Sequence, residues 1–291
     1  MNHINQKEAP DFQGYSPFDM HEILYNPFGE NSPIQILKMD QSEYQKIPIL
    51  NQLKYLLILI KKKGTLKLTA KGFLPTSIVA DIYSQGYFKD PMIERNISKS
   101  YICKETDSKT INLTRILLKL SGLVKKRSNK LSLTNKAKTL ITDDAKLLYL
   151  VFNIFTTKFN WGYYDRYLED NVGQMGFGFS LVLLSKYGKQ KRFDEFYAKK
   201  YFKAFPQLVD NAEPPNYGTI EEELERYYSL RTFERFLIYF GLIKIEPPAK
   251  FLGNSKITKT DLYDKFIQCK APNIIKKINY TYQFDTDGRI H

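Results

Sequence analysis

Apolar residues recur at intervals of three and four along several stretches of the chain, which is the spacing of one face of an α-helix. Within residues 49–63 they fall at Ile49, Leu50, Leu53, Leu56, Leu57 and Ile60. Two further stretches, 75–86 and 110–122, repeat this spacing and close on a glycine, a common residue just beyond a helix C-terminus. The pattern therefore predicts three amphipathic helices in the first half of the chain.

Alternating apolar and polar residues predict short strands between these helices. The stretch "TLKLT" at 65–69 alternates once, and "LVKKRSNKLSLT" at 123–134 alternates on both sides of Ser128-Asn129. A longer stretch, "LIKIEPPAKFLGNSKIT" at 242–258, has the same layout with a longer tip. We expect the last two to be β-hairpins.

Clusters of proline, glycine and polar residues divide the chain into four regions. Residues 1–45 form a loop-rich extension, and 46–145 hold the first helices and hairpin. Residues 146–212 are a helical middle dense in aromatic residues, and 213–291 contain the second hairpin and a tail. The fold class predicted from this order is mainly α with small β-hairpins.

The charge balance indicates an anionic partner. The 291 residues carry a formal net charge of +13 and a pI near 9.4, and such a surface suits nucleic acid, an acidic protein or an anionic membrane. A generally lysine-rich proteome would give part of the same excess. No signal peptide or membrane-spanning run is present, so we expect a cytoplasmic protein without a membrane partner.

Candidate catalytic chemistry is sparse. The two cysteines are far apart, and His21 is the single histidine away from the chain ends, so neither a zinc site nor a nucleophilic triad is predicted. The glycine-rich "GQMGFGFS" at 173–180 lacks the Lys-Ser/Thr ending of a phosphate loop. We therefore expect no enzyme activity, no cofactor and no metal.

Two segments of the chain share a layout. In each, an amphipathic helix ends at Gly122 or Gly241, and Leu-Val or Leu-Ile opens a strand. A basic turn follows, and the returning strand closes on Leu133-Thr134 or Ile257-Thr258. A partial third copy closes on Leu68-Thr69.

This layout resembles winged helix-turn-helix modules over roughly residues 47–145 and 219–270. The stretch "LKLTAKGFLPTSIVADIY" at 66–83 also resembles a segment of the pRiA4b ORF-3-like bacterial proteins. The winged-helix resemblance implies two or three winged-helix-like units beside the aromatic-rich helical middle.

The same resemblance implies a DNA interface in the first unit. Helix 111–121 would enter the major groove, and its outward stripe would read base edges through Asn112, Arg115 and Lys119. The hairpin would contact phosphates through Lys125, Lys126, Arg127 and Lys130, with Lys136 behind them. No acidic residue occurs in 109–142 or in a second basic zone at 44–80. The alternative is a solvated helix face with a lysine-rich turn.

The C-terminal copy differs, because its leading helix begins with the acidic "IEEELER". We expect it to be structural or protein-binding, with the apolar segment 230–242 either central in the core or facing a homo-oligomer or protein partner. The leading hypothesis is a non-enzymatic protein that binds double-stranded DNA. The alternative is a protein-protein interaction scaffold that uses winged-helix folds without nucleic acid.

Overall fold

The computed structural model describes residues 7–89, 103–165, 167, 171–248 and 253–272. Its α-helices, in chain order, are α1 (Pro17–Tyr25), α2 (Gln41–Tyr44), α3 (Pro48–Lys63), α4 (Thr76–Ser84), α5 (Lys109–Leu120), α6 (Asn135–Leu140), α7 (Asp144–Thr157), α8 (Phe177–Tyr187), α9 (Asp194–Ala204), α10 (Gln207–Asp210), α11 (Ile220–Ser229) and α12 (Asp261–Phe266). Its strands are β1 (Ile34–Ile36), β2 (Leu66–Lys67), β3 (Val124–Arg127), β4 (Lys130–Leu133), β5 (Arg192–Phe193), β6 (Ile243–Glu246), β7 (Lys256–Lys259) and β8 (Ile267–Cys269).

Short 3₁₀ turns lie at Pro10–Phe12, Glu105–Asp107 and Trp161–Tyr164, and a π-helix over Leu230–Leu237 continues α11. The predicted fold class, mainly α with small β-hairpins and an aromatic-rich helical region, is confirmed. Within the described ranges, no helix has the length and apolar character needed to cross a bilayer.

The first unit, residues 48–133, runs in the order α3, β2, α4, α5, β3 and β4. Its antiparallel sheet has the strand order β2-β4-β3, and we call it the first sheet. Side chains alternate across a strand, so Leu66, Val124 and Leu131 are buried on the inner face toward α3 and α5. On the opposite, outer face, Lys67, Arg127 and Lys130 are exposed.

The partial third copy supplies one strand of the first sheet. The segment 61–69 supplies the end of α3 and strand β2, and β2 pairs with β4 of the hairpin 60 residues further along the chain. Local alternation predicted the strand correctly, whereas its partner is set by the buried faces of Leu66 and Leu131, which lie opposite each other.

A second unit, residues 177–259, has a similar order, α8, β5, α9, α11, β6 and β7, with the short helix α10 between α9 and α11. Its antiparallel sheet, the second sheet, has the order β5-β7-β6, which matches the first. Helix α8, strand β5 and helix α9 come from the region that the sequence assigned to the helical middle. The tip of the hairpin includes residues 249–252, which lie outside the described residues.

The same hydrogen bond closes both hairpins. The Thr134 hydroxyl donates to the Gly122 carbonyl at 2.8 Å, and the Thr260 hydroxyl donates to the Gly241 carbonyl at 2.8 Å. Both glycines have φ near +70°, at 69° and 70°, which favours glycine at a helix C-terminus. Thr260, and not the predicted Thr258, is therefore the partner of Thr134, because this bond and not the local Ile-Thr motif sets the register.

The tip of the first hairpin is rigidly held. Ser128 and Asn129 have φ of 45° and 56°, as a type I′ two-residue turn requires. The Asn129 side-chain amide donates to the Leu68 and Thr69 carbonyls at 3.2 and 2.7 Å. The turn is thus tied to the chain just after β2, on the far side of the sheet.

Aromatic rings fill the core between the helical middle and the second unit. Trp161 lies 4.7 Å from Phe236 between ring centroids, and Phe152 lies 4.9 Å from Phe240. Most of the segment 230–242 is buried in this core, so the structure selects the first of its two predicted placements. It offers little surface to a protein partner.

A buried ion pair, which the sequence analysis missed, anchors the π-helix. The Arg231 guanidinium is bidentate to Asp165, with Nε–Oδ2 at 2.9 Å and Nη2–Oδ1 at 3.1 Å, and also donates to the Val172 carbonyl. Both side chains are essentially inaccessible to water. Removing one partner of such a pair would leave an uncompensated buried charge.

We predict that Asn129→Ala lowers the free energy of unfolding by about 2–3 kcal/mol. It removes two hydrogen bonds and places alanine in a left-handed conformation, each change worth about 1 kcal/mol. Asn129→Gly keeps the backbone free to adopt that conformation and should lose only about half as much. Urea unfolding of the three proteins tests this, and equal midpoints for all three would contradict the role given to Asn129.

Candidate nucleic-acid interface

Three cations lie side by side across the outer face of the first sheet. Lys130 on the central strand is opposite Lys67 of β2 on one side and opposite Arg127 of β3 on the other. All three side chains are exposed, and neighbouring strands are about 4.8 Å apart. We call this set, Lys67, Lys130 and Arg127, the cation row.

The cation row is electrostatically unfavourable within the chain alone. Like charges directly opposite each other destabilise a sheet. Among the described residues, no carboxylate lies within salt-bridge distance of the three side chains. The positive charge of the row is therefore not neutralised by a described carboxylate. A surface that releases counterions when it binds phosphates needs such free positive charge.

The remaining basic residues of the hairpin divide between the two faces. Lys125 lies opposite Ser132 on the outer face and extends the positive surface beyond the row. Lys126 lies opposite Leu131, on the inner side, and its ammonium is 2.7 Å from the point that a Cβ on Gly72 would occupy. The hairpin thus presents Lys125, Arg127 and Lys130 together, while Lys126 reaches over the loop after β2.

Asn112 does not lie on the outward stripe of α5 as the sequence predicted. It is 8% exposed, and its side-chain amide donates to Glu105 Oε1 at 2.5 Å. Glu105 is itself fully buried in the 3₁₀ turn before α5. In this structure the Asn112 amide is turned toward the protein interior and away from the surface where a base edge would lie.

Arg115 is held by the same carboxylate. Its Nε donates to Glu105 Oε1 at 2.6 Å, its side chain is 17% exposed, and its guanidinium lies 5.5 Å from the centre of the Phe73 ring. The backbone N–H of Leu74 donates to the other oxygen at 2.6 Å. Glu105 therefore links α5 to the loop between β2 and α4.

This polar cluster explains why the buried face of α5 differs from the one that hydrophobic spacing predicted. Leu120 continues the apolar spacing of this helix and is 42% exposed, whereas Asn112 and Thr114 are buried. Gln52 of α3 donates to the Thr114 hydroxyl at 2.8 Å. Buried polar groups need such partners, and their presence rotates the helix away from a purely apolar contact.

The last two predicted site residues lie near the C-terminal end of α5. Lys119 is exposed on the last turn of the helix. The Lys136 ammonium donates to the Ser121 carbonyl at 3.1 Å, where it satisfies a helix-end carbonyl and complements the helix dipole. Lys136 therefore has a structural contact that the sequence did not indicate.

The second sheet has a neutralised version of the same row. The positions that correspond to Lys67, Lys130 and Arg127 are Phe193, Lys256 and Glu246, which are paired across β5, β7 and β6. Lys256 lies 5.5 Å from the centre of the Phe193 ring, and Lys191 pairs with Glu246 at 2.5 Å. One scaffold thus carries a purely positive row in one copy and a mixed, partly aromatic row in the other.

In the ranges that the structure describes, no three His, Cys, Asp or Glu side chains are placed to bind a metal ion. Burial raises the pKa of the Cys269 thiol to about 11, which keeps it protonated near neutral pH. The chemistry that the described surface offers most clearly is the attraction of anions.

We predict that Glu105→Gln lowers the free energy of unfolding by about 3 kcal/mol, because it leaves Arg115 without its buried counter-charge. Glu213→Gln, at an exposed position, is the matched control and should change stability by less than about 0.5 kcal/mol. Urea denaturation measures both, and a Glu105→Gln protein as stable as the control would show that the pair contributes nothing.

Comparison with known protein families gives a match that covers this surface. Residues 45–146 match the Y4jL N-terminal domain family, which is about a third of the chain. The matched range contains α3, β2, α4, α5 and the hairpin, and hence the whole cation row. Searches of curated proteins and of solved structures found no match. The first unit is therefore the part of this chain that is similar to a known family, the Y4jL N-terminal domain.

Proposed function

We propose that this protein binds double-stranded DNA through the outer face of the first sheet and performs no chemistry on it. The observation that carries the proposal is the cation row, Lys67, Lys130 and Arg127, exposed and without a carboxylate partner among the described residues. A duplex offers a dense line of phosphates, and neutralising them releases counterions.

The order of elements in the first unit supports the proposal. In the described residues, helix, strand, two helices and a hairpin follow one another, and the first strand lies beside the last, which is the arrangement expected of a winged helix-turn-helix module. In that arrangement the hairpin is the wing that lies along the duplex backbone. The rigid turn at Ser128-Asn129 would present Arg127 and Lys130 without a large loss of conformational entropy.

The proposed contacts are to phosphates and not to base edges. Asn112 and Arg115, two of the three residues predicted to read bases, are both committed to Glu105, and the third, Lys119, is exposed on the last turn of α5. Phosphate contacts position a protein without reading sequence directly. We therefore expect weak sequence preference and strong salt dependence.

A protein-interaction scaffold is the second candidate function, and it rests on the second sheet. Phe193 is 49% exposed at the position that corresponds to Lys67, beside a lysine and a glutamate. Exposed aromatic residues within mixed charge are typical of protein interfaces. Under this alternative, the wild-type protein but not Phe193→Ser self-associates in sedimentation velocity, and neither binds duplex DNA.

We predict that replacing the cation row weakens duplex binding and flattens its salt dependence. Fluorescence anisotropy with a random-sequence duplex, repeated at several salt concentrations, measures both. For Lys67→Gln/Arg127→Gln/Lys130→Gln, the slope of log K against log salt should become less negative by about 0.9 for each lost phosphate contact. Affinity near 0.1 M salt should fall about tenfold or more.

The matched control is Lys158→Gln/Lys189→Gln/Lys244→Gln, which removes the same charge from exposed positions outside the first sheet. It should retain most of the wild-type slope. Equal losses in the two triple variants would mean that net charge alone drives binding. Absence of wild-type binding at low salt would overturn the proposed function.

A further inference from the structure

An open pocket of about 400 Å³ lies beside the outer face of the first sheet, where three lysines converge. Lys61 comes from the last turn of α3, Lys125 from β3 and Lys138 from α6. The rest of the lining is Gly64, Ser132 and Leu133. The sequence separates these lysines by up to 77 residues, and the fold brings them to one place.

The charged residues that line the pocket are all lysines. No acidic residue contributes to its wall, and none of the three lysines is ion-paired within the described part of the chain. Three ammonium groups around one cavity repel each other, and no carboxylate among the described residues forms an ion pair with them. A bound anion would remove the repulsion.

The donor set suits a phosphate group. Lysine binds phosphate as a mobile point charge, and its three N–H groups reach several oxygens. The Ser132 hydroxyl provides a fourth donor on the same wall. Gly64 has φ of +68°, and a Cβ built on it would meet no atom within 4 Å, so the glycine leaves the entrance open.

The C-terminus of α3 lies on this rim and carries partial negative charge, which opposes an anion. Lys61, Lys62 and Lys63 occupy the last turn and offset it. Only Lys61 of the three lines the pocket, whereas the other two contribute to the helix end alone. Stabilisation of the helix end therefore explains why lysines occur at 61–63. It does not explain why Lys125 of β3 and Lys138 of α6 line the same pocket.

We propose that this pocket binds one phosphate group. The inference deepens the proposed function, because the pocket shares Lys125 with the positive face of the first sheet and a duplex phosphate is one source of the group. The other sources are a free phosphate ion and the terminal phosphate of a nucleic-acid strand. All share the same chemistry, a tetrahedral anion held by three lysines and a serine hydroxyl.

The first test uses inorganic phosphate and phosphorus NMR at constant ionic strength. Wild-type protein should broaden and shift the phosphate resonance saturably. Lys61→Gln/Lys138→Gln should weaken phosphate binding at least about tenfold, one decade in the dissociation constant. Lys62→Gln/Lys71→Gln, which removes equal charge from neighbouring exposed positions, should match wild type. A wild-type protein without saturable binding, or a pocket variant equal to its control, would overturn the proposal.

The second test separates the sources with one duplex in two forms, 5′-phosphorylated and 5′-hydroxyl. An equal loss of affinity for both forms in Lys61→Gln/Lys138→Gln supports a backbone phosphate in the pocket. A loss confined to the phosphorylated form supports a terminal phosphate. Saturable binding of inorganic phosphate with no change in duplex affinity supports a free phosphate.

The cation-row variant distinguishes failure of this inference from failure of the proposed function. If the wild-type protein binds phosphate but no duplex, the proposed DNA binding is overturned and the phosphate pocket is supported. Duplex binding that depends on the cation row, without saturable phosphate binding, would overturn the pocket alone.

Discussion

A threonine hydroxyl that donates to the carbonyl of a helix-ending glycine holds each hairpin against the helix before it. Thr134 makes this bond to Gly122, and Thr260 makes it to Gly241. Each glycine lies just beyond the end of its helix, so the bond gives the glycine carbonyl a partner and ties the helix end to the residue that follows the returning strand. The bond thus helps to set where each returning strand ends.

The two units show that one arrangement of elements supports two different surfaces. In both, a buried inner face carries the packing, with Leu66 and Leu131 in the first sheet and Ile257 and Ile243 in the second. The outer residues contribute little to that packing and are free to differ. Lysine and arginine there give an uncompensated positive row, whereas phenylalanine, lysine and glutamate give a locally neutral one.

Burial of polar groups decides what helix α5 can offer. Glu105 receives hydrogen bonds from Asn112, Arg115 and the backbone of Leu74. A buried carboxylate is tolerated only when it is paired and hydrogen-bonded, so these donors are structural and not available to a ligand. Asn112 and Arg115, whose side chains would suit base recognition, instead form hydrogen bonds within the protein. The exposed positive charge of this unit lies mainly on the sheet and hairpin.

The sequence by itself determined the local elements. Hydrophobic spacing predicted helix α3, and alternation predicted both hairpins. These features follow from contacts between residues a few positions apart, so a single chain segment contains the information. The basic, acid-free composition around the first hairpin was visible in the same way.

Only the tertiary structure decided which of these residues meet. Lys67 joins Lys130 and Arg127 because β2 pairs with β4, and the pairing depends on burying Leu66 against Leu131, which no local pattern encodes. Asn112 turns inward because Glu105 is buried beside it, although spacing alone placed it outward. Spacing reports the average polarity of a helix face, whereas the partner of a buried polar group comes from elsewhere in the chain and is fixed only when the chain folds.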